Sequence, residues 1–305
     1  MNPYLKDRAQ LFAAARQFFA EKEILEVDCL AIQPFAAVDA QIDSISVDLG
    51  QKKKGYLHTS PEYAMKKLIG KGSGSIYQMS HVFRKSEFGM RHHPEFMMAE
   101  WYHLGIDYRA FIDETADFIR LFLPELRTEM ISYRELFQKY LDFDPFLFSS
   151  EDLIKVIHHH KIDAFVSDDD PKDTLLQLLL SHIIEPQLGE DHLLVLSEYP
   201  ASQAALAQTV IKENVEVAKR FEIYHQGLEL ANGYHELTCA KEQRRRFHEE
   251  NTSRIAMGKD AYHLDESFLN ALESGLPDCC GVSVGFDRLM MLRHQKKNIS
   301  EVLPH

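Results

Sequence analysis

The chain has no run approaching the roughly 18 consecutive apolar residues of a membrane span, and its first residues, MNPYLKDRAQ, are too polar for a signal peptide. Both absences predict a cytosolic protein. Cysteine is scarce: Cys29, Cys239, Cys279 and Cys280 are the only four among 305 residues, and they form no CxxC pair or zinc-finger spacing. Adjacent Cys279 and Cys280 cannot easily bridge to each other, so reduced, structural thiols are expected. Basic residues are in deficit, with 34 Lys and Arg against 47 Asp and Glu and a formal net charge of −13. Proteins that grip nucleic acid gain most of their affinity by neutralising phosphates, so broad nucleic-acid binding is disfavoured. A local basic patch, KEQRRRF at 241–247, reads as a solvated helix face. No HExxH spacing accompanies the histidine-rich stretches at 81–103 and 158–160, which argues against a metal hydrolase. No internal repeat, low-complexity tract or linker divides the chain.

What is present reads as one sheet-based domain. The apolar content of 45% is enough for a normal globular core. KDRAQLFAAARQFFAEKEILEV places Leu11, Ala15, Phe18 and Phe19 at helical spacing and runs into a strand. Residues 41–49, QIDSISVDL, alternate like a half-buried strand, KKKG at 52–55 makes a turn, and a helix begins near Ser60-Pro61, where serine caps and proline suits the first helical position. From about 107 to 195 the chain turns helical, with DTLLQLLLSHIIEP stopped by Pro186; strands return after 217. The expectation is a single α+β domain over 1–305 with a mostly helical insertion at about 107–195.

The stretch HVFRKSEFGMRHHPEFMMAEWYH, 81–103, reads as two strands joined by a long charged loop. Strand parity puts Phe96, Met98, Glu100 and Tyr102 on one face and Met97, Ala99, Trp101 and His103 on the other. The same test groups Asn232, Tyr234 and Glu236. Two such strands side by side make a floor with two carboxylates, an amide and hydroxyls, which suits an ammonium ligand. In EIYHQGLE, with a turn at His225-Gln226-Gly227, Glu222 and Glu229 fall opposite or diagonal to each other. Like charges there are destabilising unless a cation lies between them, and Mg²⁺ carrying phosphate oxygens is the natural candidate; two solvent-facing glutamates are the plainer alternative. Arg84 ends a strand and Arg288 starts a helix after GVSVGF, an arrangement that suits a phosphate.

These residues carry a family resemblance. VFRKSEFGMRHHPEF resembles motif 2 and GVSVGFDRL motif 3 of class II aminoacyl-tRNA synthetases, and GLELANGYHELT is similar to their lysyl branch. With TSPEYAMKKL and YPASQAALAQ, the set resembles the elongation factor P lysine ligases, free-standing paralogues of the lysyl-tRNA synthetase catalytic domain, over about residues 5–295. The resemblance implies an antiparallel sheet of six or seven strands flanked by helices, a homodimer, and ATP-dependent activation of lysine or (R)-β-lysine as an adenylate before transfer to a lysine of elongation factor P. It implies catalytic roles for Arg84 and Arg288, and contacts to ATP from Arg84, Lys85, Ser86, His92, His93, Phe96, Glu229, Leu230, Gly285 and Arg288. It assigns Ser60, Pro61, Glu62, Glu100, Tyr102, Asn232, Glu236 and Ser283 to the amino-acid pocket, and Glu222 and Glu229 to Mg²⁺. No anticodon-binding barrel precedes the first helix, so a protein acceptor is expected rather than tRNA. Four positions depart from the pattern: Ser86 with Glu87 one place late, His93 for asparagine, Ser283 where the ligases have alanine, and Leu30 for the motif 1 proline. The Ser86 change is the best support for a second reading, a catalytically inactive paralogue that binds an amino acid or regulates a partner.

Overall fold

The computed structural model describes residues 3–304, and these fall into two compact units, one running to Pro124 and resuming at His235, the other Glu125–Tyr234. The first unit opens with the helix Pro3–Glu21. Its buried stripe is Leu11, Ala15 and Phe19, spaced four residues apart. Phe19 stacks on Tyr77 with ring centroids 4.0 Å apart and also meets Trp101 and Phe118. Helix and sheet thereby bury each other's apolar faces.

That sheet follows the order Leu25–Glu26, Ile76–Phe83, Glu95–Leu104, Cys279–Gly285. Its long strands are antiparallel, as expected for this fold, and the two-residue strand Leu25–Glu26 joins parallel at the edge. The hairpin read from 81–103 forms in register, from Ile76 opposite Tyr102 to Phe83 opposite Glu95. Its faces sort as parity requires: Met97, Ala99 and Trp101 are buried beneath the first helix, and Glu100 and Tyr102 face away from it. At the end of the last strand the helix Phe286–Arg293 begins. Its buried Asp287 accepts from Arg8 Nη1 at 2.5 Å and from the Met97 amide at 2.7 Å. One carboxylate thus ties together the first helix, the central strand and the last helix.

Smaller features depart from the sequence reading for local reasons. Residues 41–49 form a strand only over Ser46–Asp48, because the Asp39 carboxylate accepts from the amides of Gln41 and Ile42 and curls the chain. The following turn lies over Gly50–Lys53, with Gln51 and Lys52 at positive φ, slightly ahead of KKKG. The helix Glu62–Ile69 starts one residue late, with Pro61 in the cap position and Ser60 Oγ accepting from the Glu62 amide at 3.1 Å.

In the second unit, Leu228–His235, Val215–His225 and Leu193–Pro200 pair antiparallel, and Thr128–Ser132 adds in parallel to Leu193–Pro200. The helices Tyr133–Leu141, Ser150–His159 and Lys172–Leu179 pack Leu136, Phe137, Leu153, Ile157 and Leu175 into one apolar cluster. Pro186 lies in the tight turn Glu185–Gln187 that ends the last helical run. Among the described residues no helix is long and apolar enough to cross a membrane.

Candidate active site

On the sheet face away from the first helix, side chains from distant parts of the first unit meet in a buried polar cluster. Ser60 Oγ donates to Glu100 Oε2 at 2.6 Å, and Tyr102 Oη donates to Glu100 Oε1 at 2.8 Å. Lys66 Nζ lies 2.5 Å from Glu62 Oε1 and 2.5 Å from Glu236 Oε2, and 5.8 Å from the centre of the Tyr102 ring. Glu236 follows the end of its strand and is fixed by its amide, which donates to the Cys279 carbonyl at 3.0 Å. Across the ladder Ser283 stands opposite Glu100, and Gly281 opposite Tyr102. A Cβ on Gly281 would lie 2.3 Å from Glu236 Oε1 and 2.4 Å from Tyr102 Cε1, so only glycine leaves room for this cluster.

Three carboxylates and one ammonium share the space. Burial, and then the charge of Glu62, push Glu100 up to about 7. Burial also raises Glu236, against the pull of the Lys66 ammonium. Burial alone would lower Lys66, but Glu236 and Glu62 outweigh it and hold the ammonium charged. Burial and neighbouring carboxylates keep the Tyr102 phenol protonated, so it serves as a donor. The cluster carries surplus negative charge, which suits ammonium groups of a ligand.

The Glu100 shift has a measurable consequence. A carboxyl that holds its proton more tightly folded than unfolded loses stability as pH rises from the unfolded value of about 4.5 to about 7. Glu100→Gln removes that loss, so the variant should match wild type near pH 4 and exceed it near pH 8. The ceiling is about 3 kcal/mol, from about 1.4 kcal/mol per pH unit. Thermal unfolding at both pH values checks this; an equal difference at the two pH values would show that Glu100 does not titrate this way.

Further along the same strand lies a cationic group. The Arg84 guanidinium sits over the Phe96 ring at 5.1 Å, with Nη1 3.8 Å from Glu87 Oε1. Arg84 Nε is buried and finds no acceptor among the described residues; leaving such a donor unmatched costs about 1 to 3 kcal/mol. The loop 84–94 folds back on itself, with Ser86 at φ 64°, the Phe88 amide on the Ser86 carbonyl, and Gly89 bridged to His92. The Lys85 amide donates to the Asp43 carbonyl at 2.8 Å, and His93 Nδ1 lies 2.7 Å from the Glu95 carbonyl. Arg288 Nη2 lies 2.9 Å from His92 Nε2. Burial, then the Arg288 charge, lower the His92 pKa, so a neutral imidazole accepts from the guanidinium. Gly285 caps the helix, and the Arg288 stem lies 3.4 Å from where a Cβ would stand.

Glu222, Glu229, Leu230 and Asn232 belong to the second unit. The hairpin turn there is the two residues Gln226 and Gly227, both at positive φ. Glu222 pairs with Asn232 in register and Glu229 with Tyr224, because a bulge at Leu230 shifts the ladder by one. The shift brings Glu229 to the side of Glu222, diagonal to it. The sequence argument that the two glutamates need a cation between them is corrected in one respect: Glu222 already has one. Its Oε1 receives Arg220 Nη2 at 2.5 Å, and its Oε2 receives the Tyr199 and Tyr224 hydroxyls. Among the described residues no three His, Cys, Asp or Glu side chains converge as a resident metal site. The donor set fits Mg²⁺ only with phosphates supplying the remaining ligands.

Sequence reasoning missed Lys66 and Gly281. Lys66 had a signal, since Glu62 and Lys66 are four apart on one helix. Gly281 had none, because its necessity arises from two side chains distant in sequence. The basic cluster 241–247 is spent on the surface: Arg244 pairs with Glu266, Arg245 with Glu242 and Glu249, and Arg246 with Glu242.

Residues 1–305 match the family model of class II tRNA synthetases (D, K and N). The chain belongs to that family. Along nearly its whole length it is similar to proteins named Elongation factor P--(R)-beta-lysine ligase. It is 42% identical over 304 residues to that of Haemophilus influenzae strain PittGG, covering 98% of this chain and 93% of the relative. The protein of Avibacterium paragallinarum is also 42% identical over 304 residues, covering 98% and 94%. That of Pasteurella multocida strain Pm70 is 40% identical over 301 residues, covering 97% and 92%. The resemblance read from the motifs is borne out.

Proposed function

We propose that this chain is an ATP-dependent ligase that activates (R)-β-lysine or lysine as an aminoacyl-adenylate and transfers it to a lysine side chain of elongation factor P. The observation that carries the reading is one strand face bearing a buried carboxylate cluster around Glu100 and, four residues away, the Phe96 ring beneath an arginine whose Nε has no acceptor. At about 3.3 Å per residue the two lie roughly 13 Å apart, which leaves room for an amino acid at one end and a nucleotide at the other. Within the first unit, Ser60, Pro61, Glu62, Glu100, Tyr102, Glu236 and Ser283 would hold the substrate's two ammonium groups. Each buried charge-assisted hydrogen bond contributes roughly 1.5 to 3 kcal/mol. Phe96, Arg288, Lys85, Ser86, His92, His93 and Gly285 of the first unit would hold ATP; within the second unit, Glu222 and Glu229 are the carboxylates that would take Mg²⁺.

No general base is needed for activation. The substrate carboxylate is already anionic and attacks the α-phosphorus, pyrophosphate leaves, and Arg84 stabilises the charge developing at phosphorus. In transfer the acceptor amine attacks the adenylate carbonyl, an amide forms and AMP leaves. A net charge of −13 gives tRNA little to bind, which favours a protein acceptor. The chain is read as a homodimer; Leu25, Leu30 and Ile32, exposed on one short segment, support this.

ATP–pyrophosphate exchange tests the reading. Lysine or (R)-β-lysine should stimulate it, and elongation factor P incubated with ATP and the amino acid should gain the mass of one residue. Exchange with no amino acid would overturn the ligase and favour a binding-only paralogue. Exchange without a mass gain would overturn the acceptor.

A further inference from the structure

Lys66 is the one cation in a cluster where every other charged side chain is a carboxylate, and it is only 1% exposed. Its helix also carries Glu62 one turn earlier, so the two are fixed to one rigid element, and its ammonium reaches Glu236 at the end of a different segment. Burying an ammonium is costly unless carboxylates of good geometry surround it, and here two stand at 2.5 Å. The groups facing this ammonium and its partners are Glu62 on the same helix, Glu100 and Tyr102 on the central strand, Glu236, and the buried thiol of Cys279 on the last strand. Without Lys66, three carboxylates would crowd one enclosed space, and like charges so placed take up protons until little charge remains. With Lys66 in place one of those charges is matched, and only full ionisation of all three would leave two negative charges, the balance that two bound ammonium groups would favour.

We propose that Lys66 is a positioning and specificity-determining residue: its buried ammonium clamps Glu62 and Glu236 and leaves the pocket with the charge that matches a substrate bearing two ammonium groups rather than one. The inference rests on the ligase reading above. Lys66 itself does not touch the reacting atoms; it acts by fixing where two carboxylates point and by opposing the rise that burial imposes on Glu236. The same ammonium stands 5.8 Å from the centre of the Tyr102 ring, so the aromatic wall and the charge balance meet at one side chain.

Amino-acid-dependent ATP–pyrophosphate exchange from pH 6 to 9, with lysine, norleucine and 6-aminohexanoate as substrates, tests this on the full-length protein. The last two each lack one of lysine's two amines. Wild-type exchange with a diamino acid is the control, and its absence would sink the ligase reading itself. In Lys66→Met the KM for lysine should rise about 100-fold at pH 7, the preference for lysine over either monoamine should fall about tenfold, and the pH profile of KM should move alkaline by about one unit. The KM for ATP should change little. Lys66→Arg, which keeps the charge, should retain the wild-type pH profile even if slower, and it decides the matter should Lys66→Met fail to fold. Unchanged selectivity and pH dependence in a folded Lys66→Met, or an alkaline shift in Lys66→Arg, would overturn the proposal and leave Lys66 a packing residue.

Discussion

Arg84→Ala should lower ATP–pyrophosphate exchange by about 10³-fold or more, the range expected when an arginine that stabilises a transferring phosphorus is removed. The grounds are local. The guanidinium is held over Phe96, its Nε has no acceptor among the described residues, and its contact with Glu87 is long at 3.8 Å. A buried donor left unmatched in the protein is one that a ligand can match. Arg84→Lys should recover little, because an ammonium lacks the planar fork that meets two oxygens at once. Lysine should still protect the variant against heat, since the carboxylate cluster is untouched. A variant that exchanges at near wild-type rates would mean that the phosphate is held elsewhere.

Gly281→Ala should nearly close the proposed amino-acid pocket. The added methyl would need to stand where Glu236 Oε1 and the Tyr102 ring already are, 2.3 and 2.4 Å away. Neither yields easily: Glu236 is pinned by Lys66, and Tyr102 by its bond to Glu100. Overpacking of this kind costs about 1 to 3 kcal/mol of stability, and the carboxylate it displaces is one that would bind the substrate. The KM for lysine should rise about 100-fold or more, while that for ATP stays within a small factor. Exchange kinetics with each substrate varied in turn, alongside thermal unfolding, separate the two effects. An unchanged KM for lysine would remove Glu236 and Tyr102 from the amino-acid site.

Much of this was legible in the sequence where the signal is local. Period-two alternation around Glu100 indicated the two strands and the face that carries the acidic cluster, because a one-residue slip would have buried Glu100 under the first helix in place of Trp101. The stop at Pro186 and the helix after Gly285 follow from backbone chemistry. The strand Thr128–Ser132 escaped notice, being short, half exposed and set inside helical sequence. The bulge at Leu230, which brings Glu229 to the side of Glu222, comes from pairing geometry that no single strand announces. Glu222 also meets Arg220, two residues earlier on the same strand and thus on the same face, a partner the sequence reading did not name. Charge demand could be read from the sequence; the identity of the group that meets it depended on where neighbouring strands lie.

The Asp287 carboxylate has a bearing on how the protein is made. Its bond to Arg8 joins residues 279 positions apart, and its bond to the Met97 amide locks the backbone next to Phe96. A nascent chain carries the first helix through nearly the whole of translation before that partner emerges. The backbone beside Phe96 is therefore among the last parts to set, and closing so long a loop makes its folding slow compared with the local hairpins.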